Sequence, residues 1–395
     1  MKNVNFVVLA AGKGTRMKSS VPKVLHKLAG RSMLRHVIDA TKTVGESKKV
    51  IVTGHGAEQV EETFESADTK FVRQEDQLGT AHAVSMAIPE LCADAIVVVL
   101  YGDVPLIRPV TLQRMLASVN KKSMGLLTIS LDDPDGYGRI VRSADGLIES
   151  IVEQKDATNE QRNICEINTG VMALTSSQLR NWLPQISNNN AQGEYYLTDI
   201  IAIARQNGIE VNSINPESVT EVEGVNSRLQ LSQLERAHQL ELAKQLMESG
   251  TTLADPARFD QRGQLSVGTD NFIDINCIFE GNVTIGSNVS IGPNCCIINS
   301  TIGNDVEILA NTIIDSSEVG DSAVIGPFAR IRPGTELAEH TKVGNFVETK
   351  KSQVGKGSKI NHLSYVGDSE LGENVNIGAG TITCNYDGVE KHKTL

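Results

Sequence analysis

The chain has 395 residues, 40% of them hydrophobic and 22% charged, enough for two or three domains each with its own core. A formal net charge of −11 argues against nucleic acid or an anionic membrane surface as the main partner, so a phosphate substrate would need a local basic pocket. No run reaches the ~18 apolar residues of a membrane span. The six cysteines (Cys92, Cys165, Cys277, Cys295, Cys296 and Cys384) show neither CxxC spacing nor a zinc-like cluster. Reduced thiols in the cytoplasm are the natural expectation. The early FVVLAA run is too short for a secretion signal and leads directly into a charged loop.

The first expected strand, Val4–Leu9, ends in AAGKGTRMK, with two glycines and the cations Lys13, Arg16 and Lys18. This is neither a GxGxxG fingerprint nor a GxxxxGK[ST] loop. It reads either as a loop that meets an anion through backbone N–H groups or as a plain strand-to-helix turn. Further strands are expected at Val50–Thr53, Ala95–Leu100, Gly125–Ile129 and Gly170–Leu174, alternating with helical stretches. That alternation predicts a doubly wound α/β domain over 1–226, with ligands at the carboxyl ends of the strands. Asp103 follows the most apolar strand. By itself it is a candidate metal ligand or a turn and capping residue.

Residues 227–250 lack proline, carry Leu231, Leu234, Leu242 and Leu246 on a rough helical face, and stop at Gly250. They predict a single connecting helix. From about residue 265 aliphatic residues recur every six positions: Val267, Ile273, Phe279, Ile285, Ile291 and Ile297. After a five-residue step come Ile302, Ile308 and Ile314, and after another Val319, Ile325, Ile331, Leu337 and Val343. Small residues such as Val283, Val289, Cys295, Ala323 and Ala329 fall between them. A six-residue period is the mark of a hexapeptide β-helix, in which each hexad makes one flat side and three sides close a triangular coil. The competing reading is a β-sandwich with fortuitous spacing. The repeat is still running at KHKTL, so domain 251–395 is expected to lack its last coils and cap.

The motifs LAAGKGTRM, VPKVLHKLAG, QLGTAHA, LYGDVPL, GYGRI, EINTG, NNNAQGEYYLTDII and VEGVN resemble the nucleotidyltransferases that act on sugar 1-phosphates. With GPFARIRPG, VGNFVETKKS, INHLSYVGD and VNIGAGTITCNYDG, the chain resembles the bifunctional N-acetylglucosamine-1-phosphate uridyltransferases and glucosamine-1-phosphate acetyltransferases. The resemblance covers nearly the whole chain and departs from the family at the C-terminus. It implies a Rossmann-like nucleotidyltransferase domain followed by a left-handed parallel β-helix, and synthesis of a precursor of peptidoglycan and lipopolysaccharide.

For the first reaction the resemblance implies that UTP meets Leu9, Ala10, Ala11 and Gly12, with Arg16 and Lys23 as catalytic cations. Gln74, Gly79 and Thr80 would meet the uracil, and Tyr101 and Gly102 would flank Asp103. Asp103 and Asn226 would hold Mg2+, and Gly138, Glu153 and Asn168 would bind the amino sugar. For the second reaction it implies His362 as general base, since an ammonium must lose a proton before it can attack a thioester. Taken alone, a histidine on a β-helix reads as a surface residue, and it is the resemblance that makes His362 the base. Arg332 and Lys350 would clamp the sugar phosphate. Tyr365, Asn376, Asn385 and Tyr386 would line the sugar site, and Ala379 would lie against acetyl-CoA. His82 reads as structural, and His26, His36, His55, His238, His340 and His392 as bystanders. Flat-sided β-helices of this kind imply a homotrimer. Two alternatives stand beside this reading. One is a pyrophosphorylase whose β-helix only regulates or oligomerises, and the other is a non-catalytic assembly subunit.

Overall fold

The apolar run that opens the chain forms strand β1 (Asn3–Ala10), and its residues serve two cores in alternation. Phe6 and Val8 pack on one face of the sheet, and Val7 on the other. The strand Ala95–Tyr101 divides in the same way, with Val97 and Val99 on one face and Val98 and Leu100 on the other. Near-continuous apolar strands are what a sheet covered on both sides requires.

The computed structural model describes residues 3–395, so residues 1 and 2 of the first expected domain lie outside the described residues. Contacts divide the chain into two units. One contains residues up to Leu28 and Ser32–Leu234, the other Ala29–Arg31 and Glu235–Leu395.

In the first unit the sheet strands after β1 are β2 (Ser47–Thr53), β3 (Thr69–Arg73), β4 (Ala95–Tyr101), β5 (Ser123–Ser130), β6 (Arg139–Arg142), β7 (Ile148–Val152), β8 (Glu166–Thr175) and β9 (Glu210–Ile214). The sheet order is β9-β5-β8-β4-β1-β2-β3, with the β6–β7 hairpin attached to β8. β1 pairs in parallel with β2 and β4, whereas β8 runs antiparallel to β4 and β5. The β8–β5 register shifts between Asn168 and Met172. A bulge of this kind bends the strand and re-aims its side chains.

In the second unit the hexapeptide reading is borne out. Ile273, Ile285, Ile291, Ile297, Ile302, Ile308, Ile314, Ile325, Ile331, Val343 and Ile360 are at most 3% exposed and form one core. Each coil stacks on the next in register, Ile273 on Ile291, Ile291 on Ile308 and Ile308 on Ile325. Three parallel ladders result, two of them growing from the long strand Cys277–Ile285, which makes this a left-handed parallel β-helix. The corners need a left-handed backbone, and Asn276, Asn294 and Asn311 supply it at φ of 59°, 61° and 61°. Their amides form a ladder up one edge, at 3.0 and 3.3 Å. The helix Arg228–Glu248 contains the boundary between the units. Leu234 at its start is buried in the first unit, and Ala243 is buried in the β-helix core of the second.

Candidate active sites

The carboxyl ends of β1 and β4 open onto a cleft of about 350 Å³. Leu9, Ala10, Ala11, Gly12, Lys23, Gln74, Gly79, Thr80, Tyr101 and Asp103 all line it, although they come from four separate stretches of sequence. Gly102, between two lining residues, is not itself in the lining, and its N–H donates to the Leu9 carbonyl at 2.9 Å. Gly79 sits at φ +120°, and a Cβ there would come within 2.5 Å of the Tyr195 carbonyl, so glycine is required. Arg16 stands exposed on the short turn Thr15–Met17 and is not among the lining residues.

At the rim, the Lys23 ammonium donates to Asp103 and, at 3.0 Å, to the Asn226 side-chain oxygen. The chain positions both oxygens deliberately. The Val225 N–H donates to the Asp103 carbonyl at 2.9 Å, and the Asn226 N–H to Gln230 at 2.9 Å. Two hard oxygens therefore already converge on one cation, which is the donor set magnesium takes from a protein.

Gly138, Glu153 and Asn168 form a second cluster. The Asn168 N–H donates to the Gly138 carbonyl at 2.8 Å, and the Asn168 side chain accepts from the Gly170 N–H at 3.0 Å inside the bulge. A Cβ on Gly170 would strike the Tyr101 ring at 2.5 Å, so this bulge needs glycine to bring the two clusters together. Burial pushes the Glu153 carboxyl above its ordinary value, against the Thr198 hydroxyl that donates to it at 3.1 Å. Burial likewise raises the Tyr101 phenol, which stays neutral.

The sequence reading missed several contributors. Gln77 donates to the Ala11 carbonyl at 2.5 Å and pins the opening loop, and Glu194 also lines the cleft. Thr80, already expected at the site, accepts from the Leu197 N–H at 3.0 Å, tying the start of its helix to the turn Leu197–Asp199. Gln77 and Glu194 fall inside the QLGTAHA and NNNAQGEYYLTDII stretches, but nothing in their spacing marked them as site residues. His82, read as structural, faces the Gln74 amide at 3.1 Å.

On the β-helix, His362 is exposed at the end of strand Lys359–His362, and its Nδ1 lies 3.0 Å from the Asn345 side-chain oxygen. In the tautomer in which Nδ1–H donates to that oxygen, Nε2 keeps its lone pair. One ladder over, Arg332 donates to Glu348 at 2.5 Å, and Glu348 lies in register with Tyr365. The Lys391 ammonium, with Arg332 nearby, holds Lys350 below the usual lysine value. Lys391, which the sequence reading passed over, is brought there by the bridge between Tyr386 and Lys391. Asn376 and Ala379 are exposed on the last turn, and Tyr386 is exposed with its hydroxyl on the Gly388 carbonyl at 2.8 Å. Asn385 is buried, its amide engaged by Gly367 and Asp368.

An α/β cleft where two side-chain oxygens meet one ammonium, in one chain with a hexapeptide β-helix that presents an exposed histidine held by an asparagine, fits a nucleotidyltransferase joined to an acyltransferase. The family models and similar named relatives agree. Residues 6–166 match the MobA-like NTP transferase domain family, and residues 262–345 match the GMPPB C-terminal domain. The chain is 58% identical over 395 residues to bifunctional protein GlmU of Marinobacter nauticus, covering 100% of this chain and 87% of that protein. It is 55% identical over 391 residues to bifunctional protein GlmU of Cellvibrio japonicus, covering 99% of this chain and 86% of that one. A nucleotidyl transferase from Methanothermobacter thermautotroptrophicus superposes with a TM-score of 0.45 at 20% identity, over 61% of this chain and 100% of that one.

The chain belongs to the GlmU family. It is a bifunctional enzyme that transfers uridylyl from UTP to N-acetylglucosamine 1-phosphate and acetyl from acetyl-CoA to glucosamine 1-phosphate. Its product, UDP-N-acetylglucosamine, is a precursor of the cell wall. Among the described residues no helix is long and apolar enough to cross a membrane.

Proposed function

We propose that the two reactions run at the two sites described, residue by residue as follows, with functional domains at 1–226 and 251–395 joined by helix 227–250. The observation that carries the first assignment is Lys23 held between Asp103 and Asn226 at the rim of the cleft. Leu9 to Gly12 carry the phosphates of UTP, and Gln74, Gly79 and Thr80 form the wall for the base. Tyr101 and Gly102 flank Asp103, and Gly138, Glu153 and Asn168 take the amino sugar. A phosphate oxygen of the sugar attacks the α-phosphorus in line, forming one P–O bond as the bond to pyrophosphate breaks. Magnesium, held by Asp103 and Asn226, supplies charge neutralisation when bound. Lys23 and the exposed Arg16 stabilise the departing pyrophosphate.

At the second site His362 Nε2 takes a proton from the substrate ammonium, held in orientation by Asn345. The freed amine attacks the thioester carbonyl, so that the C–N bond forms, the C–S bond breaks and the CoA thiolate leaves with a proton. Arg332 and Lys350 bind the sugar phosphate, Tyr365, Asn376, Asn385 and Tyr386 border the sugar, and Ala379 borders acetyl-CoA.

A homotrimer and a cytoplasmic setting complete the reading. The exposed corner residues Phe328, Phe346 and Leu363, with the two rings stacked at 5.3 Å, support burial against a second copy. Sedimentation should give about three times the 42.6 kDa chain mass. Asn226→Ala tests the metal assignment: the magnesium concentration for half-maximal uridylyl transfer should rise at least about tenfold, and an unchanged requirement would remove Asn226 from the site.

A further inference from the structure

Gln74 is 4% exposed yet lines the nucleotide cleft, and its backbone is fixed by its N–H donating to the Thr53 carbonyl at 2.8 Å. Its side-chain Nε2 lies 3.1 Å from the Gly79 carbonyl and 3.1 Å from His82 Nδ1. A carbonyl only accepts, so the end of Gln74 facing Gly79 is the NH2 group. The Gly79 carbonyl cannot turn to suit another partner, because it also accepts the Ala83 N–H at 3.1 Å. His82 Nδ1 is therefore the acceptor of the second amide hydrogen, and the neutral ring carries its proton on Nε2. With both hydrogens engaged, Oε1 is the one polar atom Gln74 has left for a ligand, and Oε1 only accepts.

We infer that His82 is a positioning residue that locks the Gln74 amide as an acceptor toward the base and thereby selects uracil over cytosine. The inference rests on the reading that the cleft holds UTP with its base against Gln74. Uracil presents N3–H, a donor that Oε1 accepts. Cytosine presents a bare N3, which sets lone pair against lone pair. Without an acceptor at position 82 the second amide hydrogen is unsatisfied, and the amide can turn it toward the cleft, where it serves cytosine. A site built for one hydrogen-bonding pattern rejects the other because buried groups are left unpaired.

The test compares kcat/KM for UTP and CTP, with N-acetylglucosamine 1-phosphate and magnesium, in the parent, His82→Asn and His82→Leu. Asparagine places a carboxamide oxygen near the position of Nδ1, whereas leucine fills similar space with no acceptor. His82→Asn should keep the UTP-to-CTP ratio within about threefold of the parent. His82→Leu should lose about ten- to hundredfold of that ratio. The change should fall mainly on KM, because the reacting phosphates lie elsewhere. His82→Met replaces the leucine variant should that protein fail to fold. A leucine or methionine variant with the parent ratio overturns the inference, and so does an equal loss in the asparagine variant, which would make position 82 a packing site. The ratio in Gln74→Ala separates the two layers of argument: if it keeps the full uracil preference, the placement of the base at Gln74 is what fails.

Discussion

The Lys23 ammonium and the Asp103 carboxylate form an ion pair that the Asn226 side-chain oxygen completes, in the place where we propose that the two oxygens hold a divalent cation. Lys23 and the metal cannot both occupy that position. A divalent ion held by Asp103 and Asn226 would take the place of the ammonium and leave Lys23 for the phosphates. Lys23→Met should therefore bind Mn2+ about ten- to hundredfold more tightly than the parent, as read from the electron paramagnetic resonance signal of free Mn2+. The same variant should lose about 10²–10³-fold in uridylyl transfer. Lys18→Met, which removes a cation from the same loop, should leave Mn2+ affinity unchanged. Unaltered or weaker metal binding in Lys23→Met would show that the two cations do not compete.

The acetyl site gives a parallel expectation for Asn345, whose side-chain oxygen holds His362 Nδ1 at 3.0 Å. Asn345→Ala should lower acetyl transfer about tenfold, less than loss of the base itself, with the KM for acetyl-CoA little changed. Asn345→Asp should restore part of the rate, because it keeps the acceptor. Equal losses in both variants would mean that the contact is incidental.

Acid stability should report on Lys49, 3% exposed and paired with Asp68. Its ammonium holds the Asp68 carboxyl down to about 2. A depressed carboxylate stabilises the fold above its ordinary value of ~3.9 and loses that contribution as pH falls toward 2. Asp68→Asn should cost about 1 kcal/mol at neutral pH, modest because the carboxylate side is half exposed. It should also shed less stability than the parent between pH 4 and pH 2 in a denaturant series. A variant that follows the parent through that window would place the acid sensitivity elsewhere.

Inside the β-helix, Thr349 is fully buried and its hydroxyl finds no hydrogen-bond partner among the described residues. Valine has the same shape without the unsatisfied oxygen. Thr349→Val should raise stability by about 1 kcal/mol, whereas Ile331→Ala, at a fully buried aliphatic position one coil below, should cost about 2–5 kcal/mol. Thermal melts decide both. A lower melting temperature for Thr349→Val would mean that its hydroxyl has a partner after all.

How far the sequence led depended on how local each signal is. The aliphatic hexads from Ile273 to Val343 were readable because each residue repeats its neighbour's environment one side further on. The doubly wound half was readable from β-branched runs such as Ala95–Leu100. The antiparallel direction of β8 was not, since direction depends on which strand it meets. Nor was the bulge between Asn168 and Met172, which arises from register against β5. Gln77, Glu194 and Lys391 carry no spacing pattern, and only the folded chain brings Gln77 to Ala11 or Lys391 to Lys350. His82 was read as structural because its meaning lies in the orientation of the Gln74 amide, which no motif encodes.

We expect two chemically independent sites in one chain, one built on Asp103 and the other on His362. The most direct measurement is both rates in both variants: UDP-N-acetylglucosamine formation from UTP with magnesium, and acetyl-CoA consumption with glucosamine 1-phosphate. Asp103→Ala should lower uridylyl transfer at least about 10²-fold and leave acetyl transfer near the parent rate. His362→Ala should do the reverse, with acetyl transfer falling about 10²–10⁴-fold. A His362→Ala protein that acetylates at the parent rate, or either substitution lowering both rates together, would contradict the account.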